Sequence, residues 1–268
     1  MGKFDGYILF TDLDGTLTMR DDDGEAVISK ENIDAINYFK DNGGKFSFST
    51  GRLPEYVKES VMKFITPNAP VAVVGGSCIY DFDKDSYIRI NYLDRHAYSI
   101  IYDIAENHRE EFGNIYLNSE KCALEINLEN FKGMDFVRDS LENNNWCKAV
   151  FTAKEERTVL DLKEKILSDS RYNKKFDFVR SWPTGLEILN IDSTKGYCVS
   201  FLKKHLNMTT SICVGDFEND ISMIEEADIG YAVENAIDSV KAVADRITVS
   251  NEEHALAKII SDIDKKSF

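Results

Sequence analysis

The chain has 268 residues, 43% of them hydrophobic and 11% aromatic, enough for one large domain or two modest ones with a sizeable core and unlike a disordered composition. No apolar run approaches the roughly 20 residues of a membrane helix, and no basic start followed by an apolar block marks a secretory leader, so a soluble cytoplasmic protein without a membrane partner is expected. A formal net charge of −15 repels phosphate backbones at long range and argues against nucleic acid. It does not exclude a small phosphorylated ligand, because a divalent cation and one or two local basic residues outweigh a distant field.

The first third alternates strands and helices. Tyr7–Phe10 reads as a short buried strand. Ser29 is an N-cap for a helix over Lys30–Asn42, and Gly43-Gly44 stops it. Lys45–Thr50 is a second strand, Pro54 opens a helix carrying Val57, Val61 and Phe64, and Val71–Val74 is a third strand. The last third repeats the pattern. Helices are expected over Lys195–Leu206, Ile221–Ala227, Ala236–Ala244 and Glu252–Ile260, and strands over Ser211–Val214, Ile229–Val233 and Arg246–Val249. Strand–helix–strand units of this length imply right-handed crossovers and a parallel sheet covered by helices.

The middle is different. Strands at Tyr87–Tyr92, Asn114–Leu117, Ala123–Leu128, Lys148–Thr152, Phe176–Arg180 and Leu186–Leu189 interleave with helices at Ala97–Asn107, Phe131–Glu142 and Val159–Leu167. This α+β pattern reads as an inserted domain. Five scattered cysteines without a Cys-x-x-Cys, and four scattered histidines, argue against a disulfide framework and against a zinc site.

Polar punctuation follows the apolar strands. Asp12 and Asp14 sit two residues apart where the first strand ends. Aspartate is a poor strand former, and close carboxylates repel unless a cation or shared proton relieves them. Ser49-Thr50-Gly51-Arg52 follows the second strand and Gly215-Asp216-Phe217-Glu218-Asn219-Asp220 follows a later one, with Lys195 opening a helix between. Ligands of open parallel sheets bind at the carboxyl ends of the strands, so one fold brings these motifs to one edge. Their chemistry agrees. Asp12, Asp14 and Asp216 are hard oxygen donors of the kind Mg²⁺ favours. A carboxylate attacks phosphorus to form an aspartyl-phosphate, and Lys195, the Thr50 hydroxyl and the Gly51 amide suit a phosphoryl group.

In that order, Asp12-Leu13-Asp14-Gly15-Thr16-Leu17, Ser49-Thr50-Gly51-Arg52, Lys195-Gly196 and Gly215-Asp216…Asn219-Asp220 resemble the four motifs of the haloacid dehalogenase superfamily. The Thr-Gly-Arg form and the placement of the insertion resemble its Cof-type branch, subfamily IIB. The resemblance implies a Rossmann-like doubly wound α/β core over residues 1–83 and 186–268, with an α+β cap at 84–185. It implies Asp12 as nucleophile and Mg²⁺ ligand, Asp14 as general acid/base with its carbonyl on the metal, and Asp216 as the remaining metal carboxylate. Asp220 would support the metal shell, Thr50, Gly51 and Lys195 would hold the phosphoryl group, and Asn219 would bind phosphate or orient Lys195. Arg52 and Asn235 are candidate substrate contacts. This chain departs from the family at His254, where a glycine is common, and at Phe217, where a smaller residue is common. The expected activity is a Mg²⁺-dependent phosphatase for small phosphorylated metabolites, sugar phosphates foremost. The alternatives are a phosphomutase using the same intermediate and a non-catalytic phosphometabolite sensor. Oligomeric state is not legible.

Overall fold

The computed structural model describes residues 2–21, 23–128, 131–168 and 176–265, without the side chains of 131–133. The chain opens with β1 (Tyr7–Thr11), a small ribbon of β2 (Met19–Arg20) and β3 (Ala26–Val27), α1 (Lys30–Asp41) and β4 (Lys45–Phe48). There follow α2 (Pro54–Tyr56), β5 (Val71–Val73), β6 (Cys78–Asp81) and β7 (Ser86–Ile90). The cap contains α3 (Arg95–Asn107), β8 (Phe112–Asn118), β9 (Ala123–Asn127), α4 (Phe131–Asn143), β10 (Lys148–Ala153), α5 (Glu156–Ser168), β11 (Phe176–Trp182) and β12 (Gly185–Asn190). The chain then returns through α6 (Lys195–His205), β13 (Thr210–Gly215), α7 (Ile221–Glu226), β14 (Ile229–Ala232), α8 (Asp238–Val243), β15 (Arg246–Ile247) and α9 (Ala255–Asp264).

The main sheet has the order β15-β14-β13-β1-β4 and is parallel throughout. Strand β1 is central, flanked by β4 and by β13 from the far end of the chain. Its alternation decides the layers. Leu9 enters a cluster with Ile36 and Phe39 of α1 and Leu256 and Ile260 of α9. Ile8 and Phe10 enter a second cluster with Val199 and Leu202 of α6 and Met223 of α7. Both faces are therefore covered, and this is the Rossmann-like α/β core expected. Each fully buried side chain of this size contributes about 1.5–3 kcal/mol. The Ser29 hydroxyl caps α1 by accepting from the Asn32 amide at 3.3 Å.

Several elements differ from expectation. Val71–Val73 meets the parallel sheet only through a bridge between Ser49 and Ala72, and it heads an antiparallel sheet with β6 and β7. Tyr87 and Ile90 of β7 pack on the core's first cluster, while Leu93 is the earliest member of the cap's cluster. The helix begun by Pro54 passes after one turn into a π-turn over Val57–Val61. The last helix is broken at His254, which has left-handed backbone (φ 64°, ψ 50°) between a short 3₁₀ turn and α9.

The cap sheet, β11-β12-β10-β8-β9, is antiparallel. One face buries Ile115, Leu117, Phe151 and Ile188 against Ile101 of α3, Val137 of α4 and Val159 of α5. The opposite face roofs the carboxyl edge of the core.

Candidate active site

Three motifs leave the carboxyl ends of three adjacent strands. Asp12 follows β1, Thr50 lies just past β4, and Asp216 follows β13. The Asp12 amide still donates to the Val214 carbonyl at 3.1 Å, so the nucleophile candidate is fixed by the sheet itself. The next turn is held by Asn235, whose amide donates to the Gly15 carbonyl at 2.8 Å. That structural bond, rather than a substrate contact, occupies this part of Asn235. Gly15 has φ +82°, and a β-carbon there would lie 2.7 Å from Asp216 Oδ2; only glycine gives both the backbone and the clearance.

Lys195 is fully buried and bridges two carboxylates. Its Nζ donates to Asp12 Oδ1 at 2.6 Å and to Asp220 Oδ1 at 2.6 Å. Its position at the first turn of α6 opposes the helix dipole, and these two anions offset that cost. Burial pulls the ammonium's pKa down, but Asp12 and Asp220 outweigh it and hold it above the ordinary value. Asp220 is in turn locked: its Oδ2 accepts the amides of Asp216 at 3.0 Å and Phe217 at 3.2 Å. Asp220 thus orients Lys195, one of the two tasks the resemblance implied for Asn219, the other being to bind phosphate.

Asp12, Asp216 and Asp220 each offer a carboxylate oxygen within 4.8 Å of the others. Burial raises Asp12 well above the usual carboxylate range, against the pull of Lys195. Asp216 is pushed up to about 7 by burial and then by the charge of Asp220, although Thr16 donates to it at 2.6 Å. With all three carboxylates ionised, the single ammonium of Lys195 leaves two negative charges uncompensated, which is why burial raises Asp12 and Asp216 when no cation is bound. Hard oxygen donors with that surplus fit a divalent cation such as Mg²⁺.

The same residues open into a cavity of about 660 Å³ between core and cap. Asp12, Asp14, Thr50, Gly51, Arg52 and Asn219 line its floor. Asp14 is held by Arg52, which donates from Nε at 3.0 Å and Nη2 at 3.3 Å, and Arg52 stacks over Tyr56 at 4.5 Å. Asn219 reaches the cap, where its amide donates to the Ser181 hydroxyl at 3.2 Å. Apart from Asn235, the sequence-derived candidates therefore gather at one cavity, with Lys195, Asp216 and Asp220 behind its floor.

Sequence reading did not find the cap's share. Lys148 and Glu187 form a buried ion pair at 2.8 Å, and both line the cavity. The signal available was a lysine and a glutamate at every-second-residue positions in otherwise apolar strands. Beside the cavity, Glu218 of the core accepts from Arg180 Nε of the cap at 2.9 Å and from Lys163 of the cap.

A model of the haloacid dehalogenase-like hydrolases matches residues 9–260. The chain is 28% identical over 255 residues to the 5-amino-6-(5-phospho-D-ribitylamino)uracil phosphatase YcsE of Bacillus subtilis (strain 168), covering 94% of each chain. Its fold matches that of BT1666, a phosphatase of the same superfamily from Bacteroides thetaiotaomicron, with a TM-score of 0.77 at 20% identity, over 97% of this chain and 95% of that one. It equally matches the subclass IIB sugar phosphatase BT4131, with a TM-score of 0.77 at 19% identity, over 96% of this chain and 98% of that one. The motifs, the capped α/β core and these likenesses over nearly the whole chain agree that the protein belongs to the haloacid dehalogenase-like hydrolases, as a Cof-type enzyme of the phosphatase kind.

Proposed function

We propose that the enzyme hydrolyses phosphate monoesters of small sugar- or polyol-like metabolites through a phosphorylated Asp12. The observation that carries this reading is the buried Lys195 ammonium set on Asp12 at 2.6 Å, beside two further carboxylates. Asp12 attacks phosphorus and the bond to the leaving oxygen breaks. Asp14 gives that oxygen a proton, and then takes one from the water that hydrolyses the acyl phosphate. To do so, the Asp14 carboxyl turns from Arg52 toward the leaving oxygen. The Thr50 hydroxyl, the Gly51 amide and Lys195 hold the phosphoryl oxygens, and Asn219 supports them. Asp12, Asp216 and the Asp14 carbonyl, with Asp220 behind them, would hold Mg²⁺, which would supply the positive charge that lets an anion approach a phosphate. The cap excludes bulk water while the intermediate stands.

The substrate class is supported by two relatives. YcsE is named for a compound whose phosphate sits on a ribityl chain, and BT4131 is named a sugar phosphatase. A panel of phosphorylated metabolites in Mg²⁺, read by inorganic phosphate release, tests the reading. Release is expected for sugar or polyol phosphates and is expected to fall at least about a thousandfold in Asp12→Asn with the melting temperature retained. Full activity in that variant refutes Asp12 as nucleophile, and isomer formation without phosphate release makes the enzyme a mutase.

A further inference from the structure

The roof of the cavity follows from strand periodicity. Along β10, Ala149, Phe151 and Ala153 enter the cap's hydrophobic cluster, while Lys148, Val150 and Thr152 face the cavity. Along β8, Ile115 and Leu117 are buried in the cap while Tyr116 and Asn118 face the cavity. On β12, Leu186 and Ile188 point into the cluster and Glu187 points out of it. Three of these roof residues carry a buried polar atom with no hydrogen-bond partner: Asn118 Oδ1, Thr152 Oγ1 and Glu187 Oε2. Buried polar atoms in native proteins are nearly always paired, and an orphan costs free energy. Three of the nine such atoms among the described residues belong to one face of one sheet, above one cavity.

The orphans lie next to the phosphoryl floor. A β-carbon on Gly51 would sit 3.4 Å from Lys148 Nζ and 3.9 Å from Glu187 Oε1, and one on Gly75 would sit 3.3 Å from Glu187 Oε2. The two glycines leave room for the Lys148–Glu187 pair to reach down to the core. Within that pair Lys148 is already neutralised by Glu187, so it does not call for a second anion. The unmet needs are two acceptors, Asn118 Oδ1 and Glu187 Oε2, and a hydroxyl that works either way.

We propose that Asn118, Thr152 and Glu187 form a hydroxyl-reading station that selects a neutral, polyhydroxylated leaving group attached to the phosphate, with Lys148 positioning Glu187. This rests on the phosphatase reading above. Hydroxyl protons of the leaving group donate to Asn118 Oδ1 and Glu187 Oε2, and the Thr152 hydroxyl exchanges a hydrogen bond with the same chain. An alkyl phosphate leaves all three unmet. Sites built to hydrogen-bond a substrate hydroxyl discriminate strongly against analogues lacking it.

The test compares sorbitol 6-phosphate with n-hexyl phosphate, which has the same carbon count and no hydroxyls. The expected preference of the wild-type enzyme in kcat/KM for the polyol is at least about tenfold. That ratio is expected to shrink several-fold in Thr152→Val, which keeps shape, and in Glu187→Gln. Calorimetric binding of the two probes reads the same ratio without turnover, and melting curves certify that each variant is folded. Equal wild-type kcat/KM for both probes, or loss of both in the same proportion in Thr152→Val, overturns the station while leaving the phosphatase reading intact. Absence of phosphate release from every monoester, p-nitrophenyl phosphate included, overturns the phosphatase reading instead; the binding ratio then still decides the station.

Discussion

Arg180 of the cap and Glu218 of the core are joined twice, through the guanidinium Nε at 2.9 Å and through the Arg180 amide, which donates to Glu218 at 3.1 Å. Burial raises the Glu218 carboxyl, but Lys163 and Arg180 outweigh it and hold it below the ordinary value. Both side chains are largely shielded, at 10% and 15% exposure, so this contact is more than a surface ion pair. Phe217, the bulky departure from the family pattern, lies beneath Arg180, with the guanidinium 5.5 Å from its ring.

Closure of the cap is therefore expected to depend on Glu218. Glu218→Ala is expected to cost about 2 kcal/mol and to lower kcat/KM about tenfold, because the lid spends less time shut. Thermal melting and steady-state kinetics check it. Lower stability with unchanged kcat/KM would make the contact a brace without influence on closure.

The surplus charge around Asp12, Asp216 and Asp220 predicts a linkage between cation and stability. Mg²⁺ at about a hundred times its dissociation constant is expected to stabilise by about 2.7 kcal/mol, raising the melting temperature by several degrees. Asp216→Asn is expected to abolish most of that rise. A melting temperature indifferent to Mg²⁺ would count against the cation site.

Asp228 links α6 to β13. It accepts from Lys203 at 2.7 Å and from the amide and hydroxyl of Ser211 at 2.6 and 2.8 Å. Burial works against its charge, but the Lys203 and Ser211 bonds prevail and its pKa lies below the ordinary 3.8. A depressed folded-state value means that the stabilisation is complete above 3.8 and is lost as pH falls through the folded value. Asp228→Asn is expected to melt lower than wild type at neutral pH, with the gap narrowing as pH falls below 3.8. A gap independent of pH across that range would refute this origin.

His254 occupies a conformation that favours glycine. Left-handed backbone costs a residue with a β-carbon about 1–2 kcal/mol, and the extra freedom of glycine in the unfolded chain returns about 0.5–1 kcal/mol of that. The His254 contact with Glu31, at 3.6 Å and half in solvent, adds little. His254→Gly is expected to gain about 0.5 kcal/mol, and His254→Val to lose about 1 kcal/mol or more. Denaturant midpoints at constant slope measure both.

Much of this molecule is legible from its residues. Apolar runs such as Tyr7–Phe10, ended by acidic or glycine-rich turns, mark strands and the edge where chemistry collects. Ser29 and Gly43 bound α1 by local capping alone. What escaped reading depends on distant partners. The strand Cys78–Asp81 is mixed in pattern and becomes a strand by pairing with both neighbours. The break at His254 carries no glycine to announce it. The Lys148–Glu187 and Arg180–Glu218 pairs join residues 39 and 38 positions apart, and only the docking of one strand or one unit on another brings them together.

The neighbours of β1 also set an order of assembly. The cap's hydrophobic cluster comes from one continuous stretch, Leu93 to Ile188, whereas β1 waits for β13, about 200 residues later, as in the Ile8–Ser211 and Phe10–Cys213 pairings. Long-range parallel pairing is slow because the loop must close before any contact repays it. On a ribosome the lid is therefore complete in sequence before the sheet beneath it, and Asp12 has Lys195 and Asp216 as partners only once those later residues have emerged. A nascent chain that ends before Asp216 lacks two of the three carboxylates of the Asp12 cluster.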